Sequence, residues 1–441
     1  MTMRPRIDPA VTAVLAGYQA LFGALLLGAG AAAPLLGRFS RRIREGCHEY
    51  FGGLPRPPAG PLAWVHGVSM GESAVAGAVM DELRRRAPGL RIGFTTTHPD
   101  VLAAVKKRGR ADVAGYFPLD TWFAMRRAFD RWQPRLAVVA ETDFWPVFSR
   151  SCGARGVSLV LVNGRISEKL HSVYSRFNTI ARAVFEPFTL LAVQSETDAR
   201  RLREMGAHPD RIRVTGNVKG DLAAVPSADA ARRTREWAGC DRLVVFGSIH
   251  PAEFELLLPL WKELLGRESG CRLLVAPRNP SLAAEWESRL ASAAIPSLRR
   301  SALASAPESG REARLMLLDT MGELAALYGL AAVAFVGGSL DPLVGGHNPL
   351  EVLNHGVPLI MGPHARNFAD LVDELVAAGG MERHADVGLI GRAIESILHA
   401  PERTAALRAA AEAVLAHHRG ALGRTLELLA PLLPLDSAGS C

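Results

Sequence analysis

Side chains whose type and spacing could do chemistry gather in a few short stretches of this chain. The run AAVAFVGGS leads into Val344–Glu351, read VGGHNPLE, with glycine pairs at Gly337–Gly338 and Gly345–Gly346. Glycines let backbone approach a ligand closely. Asn348 as N-cap, Pro349 as first helical residue and Glu351 at the third position lay out a capping box, with Leu350 completing NPLE. Such a helix start suits phosphate through its N–H groups and dipole, and a first-turn carboxylate suits ribose hydroxyls. A well-capped surface helix has the same pattern. In SMGESAVAGAVMDELRRRA, Ser69 reads as N-cap and Glu72 as N3. Glu72 is therefore either a capping-box partner or a general base brought to substrate by Gly71, with burial lifting a carboxylate that the dipole keeps ionised. Glu141 follows the buried run LAVVA, either to cap the next turn or to aim charge at a ligand. Lys219 in TGNVKGD reads as a solvated lysine unless a site faces it. Arg278, after Pro277 at the end of CRLLVAPR, suits bidentate phosphate binding. In DTMGELAALYG, Thr320 and Glu323 form a further capping box, with Met321 and Gly322 between them, and a glycine in a first turn suggests close ligand approach.

These residues need elements to hold them. From Leu62 the chain beats strand, turn, helix: LAWVHGV, RIGFTTT, ADVAGYFP, LAVVAE, VSLVLVNG, FTLLAVQS, RIRVTG, then LVVFGS, CRLLVAPR, RLMLLD, AAVAFVGG and VPLIMGP. Near-continuous apolar runs alternating with helices predict parallel sheets covered on both faces, an α/β architecture of twin Rossmann-like lobes with a cleft between them. The expected division is 1–45 as an N-terminal segment, 46–222 as first lobe, 223–240 as linker, 241–402 as second lobe, and 403–441 as helices packing across the lobes. In such sheets ligands sit at the carboxyl ends of strands. There the first half places Ser69–Glu72, Glu141, Asn163–Arg165, Ser195 and Gly216–Lys219. The second half places Ser248–His250, Pro277–Arg278, Asp319–Glu323, Gly337–Glu351 and Gly362–His364. Acids lead the first set and phosphate-compatible loops the second, which suggests an acceptor-and-base lobe followed by a nucleotide lobe.

With 441 residues, 49% of them hydrophobic and 22% charged, the chain is long enough for two cores and has an ordinary globular composition. A net charge of +7 favours an anionic partner such as nucleotide, phospholipid or nucleic acid. Cys47, Cys152, Cys240, Cys271 and Cys441 are scattered and odd in number, as expected of reduced thiols, and no metal or Walker A spacing exists. Pro9 to Gly37 carries no charge, and Val11–Leu36 is long enough to span a bilayer, though Tyr18, Gln19 and Pro34 interrupt it. It reads as an anchor, an interfacial helix or a signal peptide. Arg38, Arg41, Arg42 and Arg44 then hold the remainder in the cytoplasm. Basic runs at Arg84–Arg86, Lys106–Arg110 and Arg126–Arg131 are solvated helix faces by default, and could also rest on an anionic membrane.

HGVSMGE, AETDFWP, LVNGRIS, TGNVKGD, APRNP, LDTMGELAALYG, AFVGGS, GGHNPLE and MGPHARNF, in that order from Trp64 to Phe368, resemble the successive signatures of the bacterial 3-deoxy-D-manno-octulosonic acid (Kdo) transferases. The resemblance takes in the N-terminal hydrophobic segment. It implies an inverting GT-B glycosyltransferase, without metal or cofactor, on the cytoplasmic face of the inner membrane. The implied donor is CMP-Kdo and the implied acceptor the lipid A precursor lipid IVA, with an anionic membrane surface as partner and no nucleic acid. By the same resemblance Glu72 matches the general base, and Glu141 and Lys219 match transition-state stabilisers. Pro277, Arg278, Met321, Gly322, Glu323, Asn348, Pro349, Leu350 and Glu351 match the CMP-holding segments. The chain departs from the pattern at Asn279, where histidine is usual, at Ile249 and Ala252 in SIHPAEF, and at Pro342, with no arginine before the glycines. These departures bear on donor affinity and donor identity. The alternatives are a GT-B enzyme with another nucleotide sugar, such as a UDP-sugar, and a non-catalytic membrane-bound nucleotide-binding protein.

Overall fold

Short apolar strands separated by helices leave few ways to bury both faces of a sheet, and the chain uses the expected one twice. The computed structural model describes residues 13, 16–20, 41–222, 228–239, 242–303 and 313–433. The chain divides into two compact units, Met1–Leu222 with Arg419–Cys441, and Ala223–His418.

The first unit holds β1 (Leu62–His66), β2 (Arg91–Thr96), β3 (Val113–Tyr116), β4 (Leu136–Ala140), β5 (Ser158–Gly164), β6 (Phe188–Val193) and β7 (Ile212–Val214). They lie parallel in the order β3-β2-β1-β4-β5-β6-β7. The second unit holds β8 (Arg242–Ile249), β9 (Cys271–Pro277), β10 (Ser297–Arg299), β11 (Leu315–Leu317), β12 (Val333–Val336), β13 (Leu359–Met361) and β14 (Glu382–Arg383). Their order is β10-β11-β9-β8-β12-β13-β14, again parallel. Every apolar run named from sequence is a strand. The strands not foreseen are β10 and β14, edge strands of 3 and 2 residues reading SLR and ER. An edge strand that short carries no apolar run to announce it.

Strand residues alternate between two cores. In β1, Leu62 and Trp64 pack with Phe129 and Phe148, while Ala63 and Val65 pack with Val75 and Val79 on the other face. In β8, Leu243 and Val245 divide from Val244 and Phe246 in the same way. Coverage on both faces is why these strands are apolar throughout rather than at every second residue.

Of Val11–Leu36, only residues 13 and 16–20 are described, and the rest lies outside the described residues. The polar side chains that interrupted it have partners: Tyr18 Oη donates to Asp120 Oδ2 at 3.3 Å, Gln19 Nε2 donates to Asp120 O at 2.9 Å, and Trp122 N donates to Gln19 Oε1 at 3.0 Å. Asp120 also accepts the amides of Val147 and Phe148, and burial pushes its carboxyl up to about 6. Among the described residues no helix is long and apolar enough to cross a membrane. Of the stretch 223–240, Ala228–Ala238 is helical, and 223–227 and Cys240 lie outside the described residues. At the C-terminal end, helix Pro401–His418 belongs to the second unit and helix Ala421–Leu429 to the first. Asp221 accepts from Gly420 N and Leu422 N, each at 2.7 Å, and Arg86 Nη1 donates to Leu426 O at 3.2 Å.

The second unit depends on Glu253, in the first turn of helix Pro251–Arg267 and without exposed surface. Its Oε2 accepts from His250 N at 3.0 Å and Gly338 N at 2.7 Å, and its Oε1 accepts from Leu340 N at 2.9 Å. One side chain thus ties the β8 exit to the β12 exit. Glu253→Gln would turn an amide N–H towards at least one of these donors. It should lower the unfolding free energy by about 2 kcal/mol, the cost of a buried donor left unpaired. Urea denaturation of the full chain measures this, and an unchanged midpoint would mean that these amides are held by something else.

Candidate functional site

In the first unit, the carboxyl ends of β1, β4 and β5 and the turn after β7 bring Glu72, Glu141 and Lys219 together. Ser69 caps helix Met70–Arg86: its Oγ accepts from Glu72 N at 3.1 Å, and Glu72 Oε2 accepts from Ser69 N at 3.1 Å and Val68 N at 2.6 Å. The capping box is therefore real, and it uses one carboxylate oxygen. Oε1 makes no hydrogen bond among the described residues. Burial raises the proton affinity of Glu72, with Asp143 and then Glu141 adding to it, while the Val68 and Ser69 amides oppose the rise.

Glu141 stands just past β4 at φ +64, and Asn163 in β5 has φ +54. Asparagine adopts that region readily, whereas glutamate there costs about 1–2 kcal/mol. The strain aims Glu141 inward: its Oε1 lies 2.5 Å from Lys219 Nζ and 3.3 Å from Asn163 Nδ2. Asn163 Oδ1 accepts from Val218 N at 2.9 Å, which fixes the turn carrying Lys219. Gly71 lies against the same ammonium, since a Cβ there would come 3.3 Å from Nζ. Behind Glu72, fully buried His66 directs Nδ1 to Thr95 O at 2.9 Å and Nε2 to Asp143 Oδ2 at 3.3 Å. Thr95 O can only accept, so Nδ1 carries a proton.

In the second unit the strand ends gather a different set. β8 leaves its register after Phe246, with Ser248 at φ +58, and delivers His250. Arg278 N donates to Ile249 O at 2.8 Å, which sets the guanidinium beyond β9. That guanidinium is exposed and makes no hydrogen bond or ion pair among the described residues. His347 meets His250 edge to edge, with rings 10° from parallel, centroids 5.1 Å apart and Nε2 atoms 2.8 Å apart. Burial, then Arg278 and His250, press the His347 imidazole down to about 4.

The glycine loop differs from the expectation. The amides of Gly337, Gly338, Gly345 and Gly346 are all used internally, by Gly247 O, Glu253 Oε2, Asp341 O and Gly338 O. They are not free to cradle phosphate. Gly346 is required because its φ is +79 with the His364 carbonyl pressed against it. The helix after Pro349 is the single turn Leu350–Leu353, too short for a useful dipole, and Asn348 Oδ1 accepts from Leu350 N at 3.1 Å rather than forming the expected box. Pro277, Pro349 and Leu350 are buried, so they can offer a ligand backbone only.

Gly322, expected inside a first turn, lies before helix Leu324–Leu327 at φ +83, beside Met321, which is 76% exposed. Thr320 Oγ1 donates to the Glu323 side chain at 2.7 Å, and Arg300 Nε lies 3.2 Å from that carboxylate, so Glu323 belongs to an ion pair rather than a cap. Asn279 accepts from Ser281 N and Oγ within its own turn, and Ile249 is core. Asp143, His66 and the His250–His347 pair were not singled out from sequence. Strand-end position was the available signal for His250, and no local pattern announces a contact between residues 97 apart.

A family model described as 3-deoxy-D-manno-octulosonic-acid transferase (kdotransferase) matches residues 45–222. The 3-deoxy-D-manno-octulosonic acid transferase of Haemophilus influenzae is 31% identical over 402 residues, covering 90% of this chain and 92% of that one. The Bordetella pertussis enzyme of the same name is 31% identical over 385 residues, covering 85% and 88%. Among solved structures, a UDP-GlcNAc 2-epimerase from Neisseria meningitidis superposes with a TM-score of 0.56 at 13% identity, covering 84% of this chain and 100% of its own, a likeness of fold alone. With near-complete coverage at that identity, the chain belongs to the 3-deoxy-D-manno-octulosonic acid transferase family and is a glycosyltransferase.

Proposed function

We propose that this Kdo transferase takes Kdo from CMP-Kdo and places it on lipid IVA in lipopolysaccharide assembly, with inversion and with Glu72 as general base. The observation that carries the base assignment is the state of the Glu72 carboxylate. One oxygen is held by two amides, the other makes no bond among the described residues, and burial with neighbouring acids raises its proton affinity. A base needs that combination of fixed direction and lifted basicity.

When the bond between the Kdo anomeric carbon and phosphate breaks, positive charge grows on the sugar and negative charge on the phosphate. Glu141, oriented by Lys219 and Asn163, suits the first charge. In the second unit the unpaired guanidinium of Arg278 suits the phosphate. Glu351 suits the ribose, and Pro277, Met321, Gly322, Glu323, Asn348, Pro349 and Leu350 complete the CMP-holding segments through backbone and local shape. We place the enzyme at the cytoplasmic face of the inner membrane, with Val11–Leu36 as an anchoring or interfacial segment. Trp122 and Phe123 are 56% and 66% exposed on a helix that also bears exposed Arg126 and Arg127, beside the docking point of Gln19. Exposed aromatics flanked by arginines suit an anionic lipid interface.

Mass analysis of lipid IVA after incubation with CMP-Kdo tests the whole reading, since an unchanged lipid, or turnover of a UDP-sugar instead, would overturn it. Glu72→Gln keeps an oxygen for the Ser69 and Val68 amides, so the helix cap survives. Its kcat should nevertheless fall about 10³-fold, the usual worth of a general base, with CMP affinity unchanged. Arg278→Ala should weaken CMP about 10- to 100-fold, as loss of a charged hydrogen-bonding group does.

A pH profile tests the electrostatics. Activity needs ionised Glu72, so it rises with pH through a value lifted above the ordinary glutamate range. Asp143 contributes to that lift, so Asp143→Asn should move the acid limb of kcat/KM to lower pH. An acid limb that stays in place would show that Asp143 does not act on Glu72.

A further inference from the structure

The His250–His347 contact constrains its own charge. Nitrogens 2.8 Å apart cannot meet as two lone pairs or as two N–H groups, so one proton lies between the Nε2 atoms. With the accepting ring carrying its own proton on Nδ1 the pair is neutral. A third proton can enter at Nδ1 of the ring that donates, giving an imidazolium bonded to an imidazole. A fourth would place two N–H groups face to face. The pair therefore holds zero or one positive charge, and the site decides which.

In the structure the surroundings of His347 disfavour a positive charge on its ring. His347 is pressed down to about 4 by burial, by Arg278 and by His250. The charged and titratable groups around its loop include Arg278 after β9, Glu253 in the first turn of helix Pro251–Arg267, Asp341 within the loop, whose Oδ1 accepts from Leu343 N, and His364 and Arg366 after β13. Glu253 is already engaged with three backbone amides and does not turn towards the pair. None of these carboxylates pairs with Arg278, which is exposed without a partner among the described residues. An anion bound by Arg278 would cancel one of the influences that keep His347 neutral and would add an attraction of opposite sign.

We propose that His250 and His347 are the chargeable half of a phosphate site whose permanent half is Arg278, and that the pair takes up one proton when a phosphomonoester binds. The proposal rests on the reading that the second unit holds the nucleotide. The extra proton comes from water and is not passed on in the transfer step. In that step the bond between the anomeric carbon and the phosphate oxygen breaks with its electron pair left on the phosphate. The acceptor oxygen forms the new bond, and its proton goes to Glu72. The phosphate changes from a singly charged diester to a doubly charged monoester, and the protonated pair faces the added charge. The departing group is thereby held more strongly than the donor it came from, which is the differential that accelerates a step.

Calorimetric titration of CMP into the full chain tests this, in two buffers of unlike ionisation heat at about pH 8, where a free phosphomonoester is already doubly charged. The expected result is uptake of about one proton per CMP, with affinity falling up to tenfold per pH unit as pH rises. Cytidine, without phosphate, should bind with no uptake. His347→Gln and His250→Gln should each bind CMP with flattened pH dependence. The wild-type measurement stands even where a variant fails to fold. CMP binding without proton uptake, or equal uptake with cytidine, overturns the role of the pair and leaves the nucleotide reading intact. Failure of CMP to bind at any pH removes that reading and the proposal with it.

Discussion

Backbone amides at the end of a buried parallel strand must find acceptors, and here they find side chains rather than water. Glu253 takes three amides from the exits of β8 and β12, and Asn163 takes the Val218 amide while donating to Glu141. Without such acceptors the strand-end loops would lose several buried hydrogen bonds at once. The groups proposed for chemistry are placed by these bonds. Asn163 sets the distance between Glu141 and Lys219. Glu253 sets the loop on which His347 rides and fixes the backbone of His250. Chemistry on these lobes is a consequence of how the strand ends are sealed.

Glu72 shows why structural and functional readings of a residue need not compete. A carboxylate has two oxygens, and the capping box occupies Oε2. The cap lowers proton affinity through its amides, whereas burial and the neighbouring carboxylates raise it, and the rise prevails. An isolated helix cap would be a poor base because nothing would oppose the amides and the dipole. Burial first, then Asp143, held against a buried imidazole, and Glu141, pinned by a lysine, supply that opposition.

Much of this was legible in the sequence because it follows from local pattern. LAWVH and LVVFG can only be strands covered on both sides, and Ser69 with Glu72 at the head of an apolar-striped run can only be a helix start. What escaped depends on contacts between distant residues or on very short elements. SLR and ER form edge strands through their neighbours, not through their own propensity. NPLE has good capping chemistry, yet Asn354 to Gly356 close the helix after one turn and the asparagine turns its side chain to Leu350. The glycine pairs suggested close backbone approach to a ligand, but a loop long enough to fold on itself spends its own amides internally. Residue type foretold where glycines would fall and not what their N–H groups would meet.

The charge carried by each unit agrees with the half of the reaction proposed for it. Around Glu72 stand the carboxylates of Glu141 and Asp143, with Lys219 paired to Glu141, so on the proposed roles a proton arriving from an acceptor hydroxyl relieves repulsion there. Around Arg278 the neighbours are imidazoles, and negative charge arriving on a phosphate relieves the opposite strain. On the proposed roles each cluster gains stability from its event, so that part of the driving force would be stored in folded electrostatics rather than drawn from the substrates. That storage is tolerable because each cluster keeps an internal counterweight: Lys219 against Glu141 in one unit, and a proton that the imidazole pair can decline in the other.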